Sequence, residues 1–400
     1  MKEEYTILAP QMAPDHFEIM ESLFKDNGYK VEFLKDVNSK VIDEGLKYVN
    51  NDACYPSITV VGQMMEAINS GRYDTDKLAL LMSQTGGACR ASNYVGFIRK
   101  ALKEAGYENI PVIAISWQNI ETNEGFNLSP LVLQKMIVAV LYGDLIMRLS
   151  NFTRAYEKEK ETDTLKQKWI EECQKRVLKS SSKLFRQTVD EIIEDFSKIE
   201  LLDIQKPKVG IVGEILVKYL PQANNNLQDL LEKEGCEVVM PDLTDFVLYC
   251  LRNEYHKGNF LSKSKFTGFM CNMGVNLIEH YRKYIRNQLI KSKFTHPLKI
   301  QELEDYAQEV VSLGNQYGEG WLLTAEMIEL IHINANNIVC IQPFGCLPNH
   351  ITGKGVIKRI RQLYPQANII PIDYDPGASE VNQINRIKLM LSQAKEKINN

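Results

Sequence analysis

The sequence predicts an α/β protein with two parallel-sheet lobes, joined by a helical segment, and a helical insertion in the second lobe. Three observations predict it. Short apolar runs alternate with amphipathic stretches through residues 1–125, the pattern of βα units. The alternation gives way to long helical periodicity over 129–199, where no proline falls between Pro130 and Pro207. It then returns at residue 208 and, after a mainly helical stretch, again at 337.

Taken in order, residues 5–9 read as a strand, 14–27 as a helix and 30–34 as a second strand. Residues 56–70 read as a helix with proline in its first turn, where the missing N–H costs nothing. A strand at 78–82, a helix at 91–105 and a strand at 110–115 complete the first lobe, assigned to 1–125. The connecting segment is 126–205. The second lobe, 206–400, has strands at 208–212, 237–240, 337–341 and 368–372, with helices at 224–234, 355–363 and 380–394. Its insertion covers about 246–333.

The chain has 400 residues, 44% of them hydrophobic, which is enough for a large core without a disulfide framework. A net charge of -4 gives no nucleic-acid surface, and the basic run at 282–293 reads as the solvated face of a helix. The first residues lack a basic start followed by an apolar run, and no stretch reaches the ~18 apolar residues of a membrane span. The expectation is a cytoplasmic protein with no membrane partner. Its eight cysteines are then thiols or metal ligands.

In open parallel sheets, ligands bind beyond the carboxyl ends of the strands. Three cysteines fall in loops of that kind. Cys54 lies in Asn51-Asp52-Ala53-Cys54-Tyr55-Pro56, just before a helix. Cys89 ends Ser83-Gln84-Thr85-Gly86-Gly87-Ala88-Cys89 after a strand, and Cys346 sits in Gln342-Pro343-Phe344-Gly345-Cys346-Leu347-Pro348 after another. Helix N-termini favour thiolate, and glycines let backbone N–H groups approach sulfide. The alternative is that these are buried structural thiols, since their spacings match no short metal motif. Of the other five, Cys271 is the most plausible extra ligand. Arg90, Asn349 and His350 are candidates to surround the thiols, with Gly86, Gly87 and Gly345. Ile351-Thr352-Gly353-Lys354-Gly355 lacks the glycine and hydroxyl of a Walker A loop, and leaves only an anion site or an ordinary turn. Gly314 to Gly320 is not a dinucleotide fingerprint, because it lies in no strand-to-helix turn.

These loops, with Thr6-Ile7-Leu8-Ala9-Pro10-Gln11-Met12 and Asp373-Tyr374-Asp375-Pro376-Gly377-Ala378-Ser379-Glu380, resemble the last module of the large acyl-CoA dehydratase activase-related proteins. The wider group contains 2-hydroxyacyl-CoA dehydratases, benzoyl-CoA reductases and double-cubane cluster proteins. The resemblance implies two Rossmann-like lobes around an iron–sulfur cluster held by Cys54, Cys89 and Cys346. It also implies a [4Fe-4S] cluster with one iron open, reduced by a separate activator ATPase that carries its own [4Fe-4S] cluster. One cysteine trio is three ligands short of a double cubane, [8Fe-9S], so that cluster would require a second cluster-bearing subunit or a homodimer. The expected function is a component of a low-potential reductase or radical dehydratase. The alternatives are a non-catalytic electron carrier or scaffold, half of a double-cubane site, or a metal-free binding module.

Overall fold

The computed structural model of the chain describes residues 2, 4–84, 89–116, 125–179, 181–260 and 265–399. The first lobe contains β1 (Thr6–Pro10), α1 (Pro14–Asp26), β2 (Lys30–Leu34), α2 (Ser39–Tyr48), α3 (Tyr55–Asn69), β3 (Leu78–Gln84), α4 (Tyr94–Glu104) and β4 (Val112–Ser116). All its strand pairs are parallel and the order is β2-β1-β3-β4. The connecting segment is α5 (Pro130–Tyr156), α6 (Thr162–Lys179) and α7 (Ser182–Ser197). The second lobe begins with β5 (Lys208–Gly213), α8 (Ile215–Tyr219), α9 (Leu227–Lys233) and β6 (Glu237–Val239). Four helices interrupt it: α10 (Leu243–Phe260), α11 (Lys265–Leu289), α12 (Ile300–Gln308) and α13 (Gly320–His332). It resumes with β7 (Asn337–Pro343), α14 (Leu347–Thr352), α15 (Ile357–Leu363), β8 (Asn368–Tyr374) and α16 (Glu380–Asn399). The second sheet is also parallel, in the order β6-β5-β7-β8. The α/β fold of two Rossmann-like lobes is therefore what the chain adopts.

The central strands are buried on both faces, which explains why they read as unbroken apolar runs. Ile338, Val339, Cys340 and Ile341 of β7 are all fully buried, for example. The elements that differ from the sequence reading have local causes. The helix expected at 224–234 starts only at Leu227, because Asn225 and Asn226 both adopt left-handed φ, 56° and 52°. The helix expected at 91–105 opens as a 3-10 turn, Arg90–Asn93, before α4. Three helices escaped the sequence reading; α8, of five residues, is too short to show a period. In α2 an apolar stripe of Val41, Ile42, Gly45, Tyr48 and Val49 is present at helical spacing but goes unread in the sequence, although only Val41 and Gly45 are buried within the helix. In α14 six residues are too few to show a period.

Two expectations are corrected here. The sequence leads one to expect no stretch of membrane-spanning length and apolarity, yet α5, 27 residues long, is by length and composition apolar enough to cross a membrane. It is a core helix in this fold: Leu141, Tyr142, Leu145, Ile146 and Leu149 pack among α1, α6, α7 and α11. The basic run at 282–293 is not a solvated face at its start. Arg282 is buried and pairs with Asp245 (2.6 Å), Asp242 (3.6 Å) and Glu279 (3.3 Å). Buried guanidinium groups persist only when paired this way.

A polar seam holds the lobes to the connecting helices. His16 of α1 bonds Asp144 of α5 at 2.9 Å. Asp144 also accepts from the backbone N–H groups of Leu243 (2.7 Å) and Thr244 (2.9 Å), at the start of α10, and from the Thr244 hydroxyl. One carboxylate thus ties the first lobe to the insertion. Arg148 of α5 pairs with Asp242 at 2.6 Å.

Candidate metal centre

A sheet ordered β2-β1-β3-β4 opens a crevice between β1 and β3, where successive connections run to opposite sides. The second sheet has the same order, with its crevice between β5 and β7. Cys89 follows β3 and Cys346 follows β7, so they occupy equivalent places in the two lobes. Cys54 joins them from the start of α3.

Each cysteine is the residue immediately before a helical turn. Cys54 caps α3, Cys89 caps the 3-10 turn that leads into α4, and Cys346 caps α14. Cys54-Tyr55-Pro56 and Cys346-Leu347-Pro348 share a design, with proline in the first turn. Hydroxyls tighten two of the turns: Ser57 donates to the Cys54 carbonyl (2.7 Å) and Ser92 to the Cys89 carbonyl (2.5 Å). Gly345 makes the meeting of the lobes possible. Its φ is +73°, and a Cβ there would stand 3.1 Å from the Asp52 carbonyl oxygen and 3.5 Å from the Cys54 nitrogen.

Cys54, Cys89 and Cys346 line two voids. An inner cavity of about 370 Å³ is walled by apolar side chains such as Phe17, Phe33, Met82, Met136 and Phe246. An outer mouth, also about 370 Å³, is lined by the same three thiols with Arg90, Phe97 and Leu347. The trio therefore lies between a greasy chamber and the surface.

The electrostatics are those of a site short of positive charge. Burial pushes all three thiols up, Cys89 to about 12; the Glu319 carboxylate adds to the rise of Cys89 and Cys346, and Glu214 to that of all three. Cys89 and Cys346 are raised further by a neighbouring thiol, Cys54 and Cys89 respectively. Backbone N–H groups of Ser57, Ala91 and Asn349 act in the opposite direction on Cys54, Cys89 and Cys346 respectively. Without a cation these sulfurs stay protonated. The Tyr94 hydroxyl lies 3.9 Å from the Cys54 sulfur, and burial holds it well above the usual range, so it remains a donor.

Asn349 is buried, and its Nδ2 donates to the Cys346 sulfur (3.2 Å) and to Glu319 Oε2 (2.5 Å). Among the described residues its Oδ1 has no partner. Arg90 is exposed at the outer mouth. His350 is half-buried in α14, where its N–H donates to the Cys346 carbonyl (3.1 Å), and its ring lines neither void. Gly86 and Gly87 lie outside the described residues. Lys354 pairs with Asp373 (3.3 Å), which answers the charge of the possible anion loop.

Sequence reasoning missed four residues. Cys250, on α10, lines the inner cavity, whereas Cys271, preferred as an extra ligand, does not. Glu214 and Glu319 are buried at the same wall, and the Ile215 N–H donates to Glu319 (3.1 Å). Tyr94 is the fourth. Glu214 carried a signal: it follows β5 directly, at a crevice of the predicted kind. Glu319, between Gly318 and Gly320, sits in the segment set aside as no dinucleotide fingerprint.

Among the described residues, no three His, Cys, Asp or Glu side chains stand where they would hold a single metal ion. A cubane spreads its irons over separate corners and takes its thiolates further apart than one ion does. Three soft thiols around a shared void, with N–H groups aimed at sulfur, fit such a cluster in donor chemistry. A scan against protein-family models finds no match for the chain, and a search of curated proteins finds none either.

Proposed function

We propose that this chain is the iron–sulfur component of an ATP-activated low-potential system, either a reductase or a radical 2-hydroxyacyl-CoA dehydratase-like enzyme, that accepts electrons from a separate activator ATPase. The observation that carries the reading is the trio of capping cysteines, two of them at equivalent strand ends of the two lobes, lining the same two voids. When bound, a [4Fe-4S] cluster would supply a one-electron store with one iron open to a ligand. Cys54, Cys89 and Cys346 would hold it. Asn349 and the backbone N–H groups would stabilise the thiolates, and Tyr94 would donate toward Cys54. The apolar inner cavity would exclude water from the side away from the mouth.

That cavity favours a catalytic component over a pure electron carrier, which needs no chamber beside its cluster. A double cubane would take its other three ligands from a partner chain. A reducing cytoplasm belongs to the same reading, and all eight cysteines are free thiols.

The deciding measurement is iron and acid-labile sulfide in anaerobically isolated protein. The reading expects a brown wild type with about four irons per chain and loss of both colour and iron in Cys54→Ala, Cys89→Ala and Cys346→Ala. A colourless wild type with eight titratable thiols, or variants that keep their iron, would overturn it. Turnover only in the presence of an activator ATPase separates the catalytic component from the carrier.

A further inference from the structure

Helices α7 and α11 face each other across a surface groove of about 240 Å³. His280, Lys283, Tyr284 and Asn287 line one side at i, i+3, i+4, i+7 spacing, so they stand on one face of α11. Ser182 and Arg186, four apart, line the other side from α7. Phe185 and Tyr281, both buried, form an aromatic floor with ring centroids 4.9 Å apart, and Gln134 donates to the Tyr281 hydroxyl (2.8 Å). Among the described residues no carboxylate lines the groove, and Arg186, His280 and Lys283 form no ion pair. The acids closest in sequence are engaged elsewhere. Asp190 accepts from the Tyr284 hydroxyl (2.7 Å), and Glu279 pairs with Arg282 (3.3 Å) and Arg286 (3.0 Å). The Arg186 guanidinium lies over the Tyr284 ring, 5.4 Å from its centroid, which holds the cation at the groove.

We propose that this groove is a binding site for a small phosphorylated molecule with a flat ring, of the nucleoside monophosphate class. A phosphate monoester carries about 1.5 to 2 negative charges at pH 7, which Arg186 and Lys283 match. A guanidinium recognises phosphate by its planar fork and an ammonium as a point charge, so the pair is chemically suited to it. Ser182, His280 and Asn287 add hydrogen-bonding groups around the same void. Phe185 and Tyr281 offer the ring an apolar seat. Exposed cations on a helix are ordinarily a solvated face, but such a face has neither a concave shape nor an aromatic floor. At about 240 Å³ the groove falls below the roughly 300–1,000 Å³ of a drug-sized pocket, which suits one nucleotide and not a dinucleotide. It shares no lining residue with the two voids at the thiols, so the proposal stands whether or not those thiols hold a cluster.

Calorimetric titration of the full chain with adenosine monophosphate tests it. The nucleotide should saturate one site per chain with a Kd tighter than about 1 mM. Adenosine and inorganic phosphate, titrated separately, should each bind more weakly by about tenfold or more, since each keeps only one half of the contacts. Arg186→Gln and Lys283→Gln should each weaken the nucleotide by about tenfold. Lys183→Gln removes an exposed cation of the same helix that does not line the groove, and should leave the affinity unchanged. All three side chains are exposed, so the circular-dichroism melting profile should stay that of the wild type. A wild type that the nucleotide does not saturate overturns the proposal. So does an affinity that survives both Arg186→Gln and Lys283→Gln, one that falls as far in Lys183→Gln, or inorganic phosphate that binds as tightly as the nucleotide.

Discussion

The molecule buries two clusters of ionisable groups, and they are built on opposite plans. In the seam around α5, acids meet bases in direct contact, Asp144 with His16, Asp242 with Arg148 and Asp245 with Arg282, although burial, with Asp242 and Asp144 nearby, still raises Asp245 to about 7 against the pull of Arg282. Burial alone would push Asp144 up, but the hydrogen bond and charge of His16, helped by Thr244, hold it below the usual carboxylate range. In the cleft the acids and thiols stand together. Glu214 and Glu319 have no ion pair among the described residues, and Cys54, Cys89, Cys346 and Cys250 share their wall. The buried cation that acts on both acids, Lys218, is already paired with Glu326 at 2.8 Å. A cluster whose acids are each paired with a base can serve as a joint. One that is starved of positive charge is stable only while its groups stay protonated, and it gains most from a cation-rich guest.

The seam should therefore be the most fragile point of the fold. Arg282→Ala leaves Asp245 and Asp242 buried with one fewer cation, and a broken buried pair costs about 3–5 kcal/mol. Its thermal midpoint should drop by the largest margin of any single variant considered. Arg282→Met, which fills the volume, should recover only part of that. Asp144→Ala tests the same joint from the other side. Gly143 is part of the design: a Cβ there would stand 2.3 Å from the His16 ring, so Gly143→Ala should displace the histidine and loosen the joint as well. If Arg282→Ala melts like the wild type, the contrast between the two clusters is empty.

The cleft should respond in the opposite sense. Burial, followed by the repulsion of Glu319, raises Glu214 from 4.5 to about 8. A carboxyl whose folded value lies above its unfolded one binds its proton more tightly when folded. Its contribution is full below about pH 4.5, and declines as pH rises toward 8. Metal-free protein should thus lose stability across that window. Glu214→Gln keeps an oxygen for the Val217 N–H (2.8 Å) and removes the titration. It should flatten the decline and leave the metal-free protein more stable at pH 8, by on the order of 2 kcal/mol. Denaturant melts at pH 5 and pH 8 read this directly, and parallel curves for the variant and wild type would refute it.

Much of this contrast was legible in the sequence, but unevenly. The two parallel sheets could be read because buried strands leave apolar runs and their loops leave glycine and proline. Cys54, Cys89 and Cys346 stood out because each lies at a loop-to-helix boundary, a local feature. The seam could not be read. His16, Asp144 and Thr244 are far apart in the chain, and each looks like an ordinary surface residue of its own helix. Cys250 was passed over for Cys271 because helical position alone cannot say which face of α10 or α11 meets the cavity. The burial of Arg282 is hidden for the same reason: a basic run has the same composition whether it faces water or buried aspartates.

The thiols provide the smallest and most local test. Cys89 is held up to about 12 by burial first, then by Glu319, Cys54 and Glu214. At pH 8 its thiolate fraction is then roughly a thousandth of that of a thiol at the ordinary value of 9.0. Iodoacetamide should label it slowly in metal-free protein, even though it lines the outer mouth. Glu319→Gln removes the largest charge acting on it and also relieves Cys346, so labelling of both should accelerate, most at pH 8 to 9. The sign separates charge from access. If a narrow mouth were what protects Cys89, the isosteric Gln would leave the rate unchanged, and the cleft would be closed sterically and not starved of positive charge.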